Sequence, residues 1–122
     1  MKIAISANGN TLEAGVDPRF GRCPYFVIID PQTMQFEAIE NTCATGGGAG
    51  IATAQMISGK GVGTVLTGSC GPNACQALTA AGIEFITGVS GSVTDAVNDY
   101  NSGKLKAASE PNVDAHSGMK KG

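Results

Sequence analysis

Pro24 and the pair Asp30-Pro31 bracket Tyr25, Phe26, Val27, Ile28 and Ile29, an aromatic and β-branched run that reads as a strand. A short turn over 31–33 leads into 34–40, where apolar and polar residues alternate as in a half-buried strand. So short a connection makes the two runs an antiparallel hairpin. The hairpin restricts everything that follows, because the later chain alternates helix-like and strand-like segments, the pattern of parallel βαβ units. A chain holding both must build a mixed sheet.

The remaining elements follow from local signals. Residues 2–7 form a short apolar run that fits a buried strand, and 8–22 is a long loop rich in turn residues, with Asn8-Gly9, Asp17-Pro18 and Gly21. Ile51 to Ser58 reads as a helix closed by Gly59 and Gly61, and Gly63 to Thr67 as a buried strand. Pro72 stands at a first helical position, opening a helix to Ala81 with Gly82 as its stop; Ile83 to Ile86 is a strand. Ser92 and Asp95 are spaced as a capping box, and Val93, Ala96, Val97 and Tyr100 mark one helical face that ends near Gly103. The expected fold is α/β, a mixed five-stranded sheet in the order β-β-β-α-β-α-β-α, forming one domain over 1–106. Residues 107–122 lose all periodicity and read as a flexible tail.

Eight Lys+Arg face ten Asp+Glu, so nothing in the charge suggests nucleic acid or an anionic membrane as partner. The run after Met1 is too short for the apolar part of a secretory signal, which points to a cytoplasmic protein. In that compartment thiols stay reduced, and four cysteines read as ligands or core residues before they read as disulfides.

Strand pairing decides where those cysteines go. If the first strand pairs antiparallel with the second, the second with the third, and the first runs parallel to the fourth, then Cys23, Cys43, Cys70 and Cys75 reach one edge of the sheet. That is the carboxyl edge of the parallel strands, the usual ligand side. Gly46, Gly47, Gly48, Ala49 and Gly50 form a bare backbone loop entering a helix, whose N–H groups and positive end suit an anion. Arg19 and Arg22 flank Cys23 and add positive charge. Helix N-termini beside Cys43, Cys70 and Cys75 favour thiolates. The pattern predicts a metal–sulfur cluster, iron–sulfur or heterometallic, ligated by the four thiolates and offset by the arginines. Zinc fits less well, since only Cys70 and Cys75 are closely spaced.

Three segments carry a family resemblance: Asp17-Pro18-Arg19-Phe20-Gly21-Arg22-Cys23-Pro24, Gly46 to Gln55, and Gly71-Pro72-Asn73-Ala74-Cys75 followed by Ala81-Gly82-Ile83. Together they resemble the dinitrogenase iron–molybdenum cofactor biosynthesis family of small domains, which includes nitrogenase cofactor carriers and orange proteins holding a molybdenum–copper sulfide cluster. The resemblance implies a ribonuclease-H-like fold and a non-enzymatic carrier, storage or scaffold role, with cluster donor or acceptor proteins as partners. Many members of that family lack cysteine at these positions, so the four thiols mark a departure from it.

Rival readings are weaker. The glycine loop has Thr53 where a dinucleotide fingerprint needs a third glycine or alanine, and Gly59-Lys60 is followed by Gly61, which ends no P-loop. A cysteine nucleophile would need a histidine base, and His116 lies in the tail. The alternative from another class is a small-anion or partner-binding regulatory module whose cysteines are structural or bind zinc.

Overall fold

The computed structural model describes residues 2–42 and 49–105. The expected ligand Cys43, the loop residues Gly46, Gly47 and Gly48, His116 and the tail over 107–122 lie outside them. Five strands and three helices run in the order β1 (Lys2–Ala7), β2 (Tyr25–Ile29), β3 (Phe36–Glu40), α1 (Ala49–Ser58), β4 (Val62–Leu66), α2 (Pro72–Ala80), β5 (Glu84–Ile86) and α3 (Val93–Asn101).

The sheet has the spatial order β3-β2-β1-β4-β5. β1 pairs antiparallel with β2, from Ile3 opposite Ile29 to Ala7 opposite Tyr25, and β2 pairs antiparallel with β3. On its other side β1 runs parallel to β4, and β4 parallel to β5. This register places Ala7, Tyr25, Glu40 and Leu66 along one edge, with the chain after each parallel strand emerging there.

Both faces are covered, so the central strands are apolar runs without alternation. Ala4, Phe26, Ile28, Val65 and Phe85 pack with Ala54 and Ile57 of α1 and Ala74, Cys75 and Leu78 of α2. Ile3, Ile5, Val27, Ile29, Leu66 and Ile86 pack on the opposite face with Val93, Ala96 and Val97 of α3. The capping box at the start of α3 forms as the sequence implies: Asp95 N–H donates to Ser92 Oγ at 3.0 Å, and Ser92 N–H donates to Asp95 Oδ2.

Two elements differ from the sequence reading. β3 starts at Phe36 because Met34 takes a left-handed φ of 64°, which removes it from the strand. Phe36 is 43% exposed, since β3 is an edge strand and only Ala38 and Ile39 reach the two core layers. α1 starts at Ala49, ahead of the expected Ile51. Gly50, read as loop, is helical, and a Cβ there would stand 3.1 Å from Ala74 Cβ, so glycine lets the two helices approach across it.

Candidate functional site

The loop between β1 and β2 is tied down along its length. Asp17 N–H donates to the Ser6 carbonyl (2.8 Å), Ser6 Oγ donates to the Asp17 carbonyl (2.7 Å), and Thr67 Oγ1 lies 2.8 Å from the same hydroxyl. Farther on, Phe20 N–H donates to the Ser69 carbonyl and Ser69 Oγ to the Pro18 carbonyl. These bonds hold 17–22 above the ends of β1 and β4. Glycine makes the next contact: a Cβ on Gly21 would sit 2.9 Å from Gly50 Cα and 3.0 Å from Gly50 N, so the loop touches the first turn of α1 backbone to backbone.

A cleft of about 250 Å³ opens where these pieces meet. Arg19, Phe20, Gly21 and Arg22 form one wall, Ala49 and Gly50 a second, and Ser69 with Gly71 to Ala74 a third. Two helices begin there. Gly71 is the N-cap of α2 and makes no side-chain cap, which leaves the turn without a side-chain acceptor for its N–H groups. Among the described residues no Asp or Glu lines the cleft, although the chain carries a formal charge of −2. Two guanidinium-bearing residues, two helix N-termini and no carboxylate make an anion-selective lining.

The arginines are unequal. Arg19 Nε and Nη2 each donate to a different oxygen of the Asp17 carboxylate at 3.1 Å, a bidentate pair, while Arg22 is exposed at the rim. Burial works against the Asp17 carboxylate, but hydrogen bonds from the Arg19 side chain and backbone, helped by its charge, outweigh that and hold the carboxyl below its usual value. Part of the Arg19 charge is therefore already answered.

The thiols sit beneath the cleft rather than in it. Cys23, Cys70 and Cys75 share one core layer at the expected edge, exposed by 0%, 1% and 4%. None of the three is in a disulfide. Cys23 Sγ donates to the Phe20 carbonyl at 3.4 Å, and Cys75 Sγ to the Cys70 carbonyl at 3.5 Å. Burial, then the nearby Asp17 charge, pushes the Cys23 thiol up to about 12. Burial likewise raises Cys70 and Cys75, so it works against the thiolate form that a helix N-terminus favours. Among the described residues no group of three or more His, Cys, Asp and Glu side chains could hold a metal ion.

Comparison with known proteins gives the context for this arrangement. A family model described as dinitrogenase iron-molybdenum cofactor matches residues 1–103. The chain belongs to the dinitrogenase iron–molybdenum cofactor family. Among solved structures, the apo form of the orange protein from Desulfovibrio gigas is 42% identical, with a TM-score of 0.89 over 92% of this chain and 96% of that one. A putative NifB protein from Thermotoga is 33% identical, with a TM-score of 0.77 over 87% and 91%. A putative dinitrogenase from Methanocaldococcus jannaschii, at 18% identity and a TM-score of 0.65 over 91% and 97%, shares the fold. Comparison with curated proteins gives no match. No helix among the described residues is long and apolar enough to cross a membrane.

Sequence reasoning names Asp17 and Thr53 only as parts of motifs, and counts neither them nor Asn41 among the site residues. Asn41 Nδ2 donates to the carbonyls of Cys23 (2.9 Å) and Gly21 (3.3 Å), and its Oδ1 accepts from Thr53 Oγ1 (3.3 Å). One buried amide thus joins the end of β3, the arginine loop and α1. Asn41→Ala is expected to destabilise by about 1–3 kcal/mol, because it strands buried carbonyls and the Thr53 hydroxyl. A urea titration showing no shift of the midpoint would remove Asn41 from this role.

Proposed function

We propose that this protein binds an anionic metal–sulfur cluster in the cleft, non-enzymatically, as a carrier, storage or scaffold protein that exchanges its cargo with donor or acceptor proteins. The observation that carries the reading is the lining: Arg19, Arg22 and the first turns of α1 and α2 converge with no carboxylate among them. The fit is chemical. Sulfide-rich clusters bear net negative charge, and guanidinium and backbone N–H groups stabilise such charge without covalent bonds. Glycine at 21 and 50 lets backbone approach the cargo closely. Gly46, Gly47 and Gly48, which lie outside the described residues, belong to the same reading through their backbone N–H groups. The five-stranded mixed sheet covered by helices supports reading the fold as ribonuclease-H-like.

Thiolate ligation by Cys23, Cys43, Cys70 and Cys75 is the second reading, favoured by the meeting of three of them in one layer at this edge. It asks each buried thiol to lose a proton that burial holds in place. A small-anion or partner-binding regulatory module, with structural or zinc-binding cysteines, would use the same cleft.

The test is anaerobic reconstitution with ferrous iron plus sulfide, and separately with copper(I) plus tetrathiomolybdate, followed by desalting, absorption spectroscopy and metal and sulfide analysis. A retained chromophore is expected, and Arg22→Ala should weaken retention about tenfold or more, the size of one charge-assisted hydrogen bond. Loss of the chromophore in Cys→Ala variants, with Arg22→Ala unaffected, would favour thiolate ligation. A colourless protein under both conditions leaves the anion module.

A further inference from the structure

The ion pair between Asp17 and Arg19 leaves one end of the guanidinium unspent. Asp17 is 3% exposed, and its carboxylate accepts from the Arg19 backbone N–H at 2.9 Å as well as from Nε and Nη2. A guanidinium carries five N–H groups in one plane, so pairing along its Nε–Nη2 edge uses two and leaves three at the Nη1–Nη2 end. Those three have no acceptor among the described residues, and Arg19, its side chain 60% exposed, lines the cleft.

The carboxylate is held as firmly as the arm it grips. Asp17 N–H donates to the Ser6 carbonyl and Ser6 Oγ donates to the Asp17 carbonyl, fixing the residue to the end of β1. Pro18 follows, with φ set by its ring, and packs so closely on Gly68 that a Cβ there would lie 2.6 Å from Pro18 Cα. Arg19 itself bridges to Ser69 in parallel register. A guanidinium anchored on such a frame gives up little rotamer freedom when an anion arrives, and two parallel N–H bonds from its free end fit two acceptor atoms on one centre. We propose that Asp17 is a positioning residue: it grips Arg19 by one edge so that the other end stands as a preset two-pronged donor in the cleft, selecting anions with two or more acceptor atoms on one centre over single-atom anions.

Charge and geometry make opposite demands of Asp17. As a negative charge beside the cleft it weakens the binding of any anion, so its removal alone would tighten binding. As the grip on Arg19 it strengthens the binding of a forked acceptor, so its removal loosens that binding and leaves a single-atom anion little affected. The direction of the change in an Asp17 variant therefore separates the two. This role rests on the reading of the cleft as an anion site, but not on the cargo being a metal–sulfur cluster.

The test titrates the full-length apoprotein with sodium sulfate and, separately, with sodium chloride at matched ionic strength, following backbone and arginine side-chain signals by NMR. Sulfate is expected to bind more tightly than chloride and to shift the Arg19 Nη signals, while the Nε signal stays because Nε–H remains on Asp17. Asp17→Asn keeps an Oδ1 acceptor for the Arg19 backbone N–H, and it should weaken sulfate binding about threefold to tenfold, the worth of ordering one long side chain, with chloride unchanged. In an Arg19→Ala background the same change should no longer weaken sulfate binding. Because Asp17 is buried, the exposed substitution Arg19→Lys is measured beside it; it keeps the charge without the fork and should lose the preference for sulfate. The proposal is overturned if sulfate binds no better than chloride, if sulfate moves the Nε signal, or if Asp17→Asn tightens sulfate binding or changes both anions alike. Cluster reconstitution reads the cargo separately. A retained chromophore with no preference for sulfate would sink the role of Asp17 alone, whereas a colourless protein that prefers sulfate only while Asp17 is present would sink the cluster reading alone.

Discussion

Phe20→Ala is expected to lower the free energy of unfolding by about 3–5 kcal/mol, the range for truncating a buried phenylalanine. Phe20 is 2% exposed and meets Phe26 edge to face, with ring centroids 5.4 Å apart at 64°. Its loss leaves a void between the arginine loop and the sheet. Since a domain has only some 5–15 kcal/mol of stability in total, the urea midpoint should fall steeply with little change in slope. Phe26→Ala should cost a similar amount, because Phe26 is fully buried in the same layer. The two variants part at the site. Phe20 lines the cleft and its carbonyl accepts from Cys23, whereas Phe26 lies on β2 and is not among the lining residues. Measured under conditions where both variants are folded, cluster retention should drop for Phe20→Ala and persist for Phe26→Ala. Equal loss in both would mean that the cleft is not the binding surface.

Much of the framework was legible because local chemistry and tertiary demand agree. Pro24 and Asp30 do bound β2, Ser92 and Asp95 do cap α3, and the short 31–33 connection does produce an antiparallel β2–β3 pair. Those signals are short-range, so no long-range partner could overrule them. The misses are of the opposite kind. Met34 gives no sign of its positive φ, as methionine carries no turn preference, and Gly50, a poor helix former, lies in α1 where Ala74 of another helix approaches it. Phe36 looks inward-facing by alternation, yet an edge strand has no second neighbour to cover it.

The site divides in the same way. Arg19, Arg22, Ala49 and Gly50 were found from composition and spacing, and they do line one cleft. Asp17, read only as a turn and motif residue, and Asn41 were not counted in the site because they have partners distant along the chain: Asp17 with Ser6, Asn41 with Cys23 and Thr53. Cys23, Cys70 and Cys75 lie at the edge that the strand order implies, at a depth that the sequence does not mark. Helix N-termini favour thiolates only where solvent or a cation can share the charge; under Phe20 and Leu78, desolvation wins.

That depth has a measurable result: stability should fall as pH rises above about 9. A thiol whose pKa is raised on folding binds its proton more tightly in the native state, so its contribution is fully present below the unfolded value and is lost toward the folded one. For Cys23 the window runs from 9.0 to about 12. Within it the loss is about 1.4 kcal/mol per pH unit, on the order of 4 kcal/mol across the whole window. Cys70 and Cys75 act in the same direction. Other groups also titrate in this range, so the informative quantity is the difference between the unaltered chain and Cys23→Ala in urea titrations from pH 8 to 10.5. Cys23→Ala should be the less stable of the two at pH 8, by the small cavity it leaves, and its curve should flatten so that the gap narrows by roughly 1.4 kcal/mol per unit above pH 9. Parallel curves would show that Cys23 is not sealed in the native state. The same free energy bears on ligation, since any metal bonded to Cys23 must first offset the cost of a thiolate in that core, whereas an anion held by Arg22 and the helix ends meets no such cost. Cluster retention that survives Cys23→Ala and fails in Arg22→Ala is the outcome this difference demands.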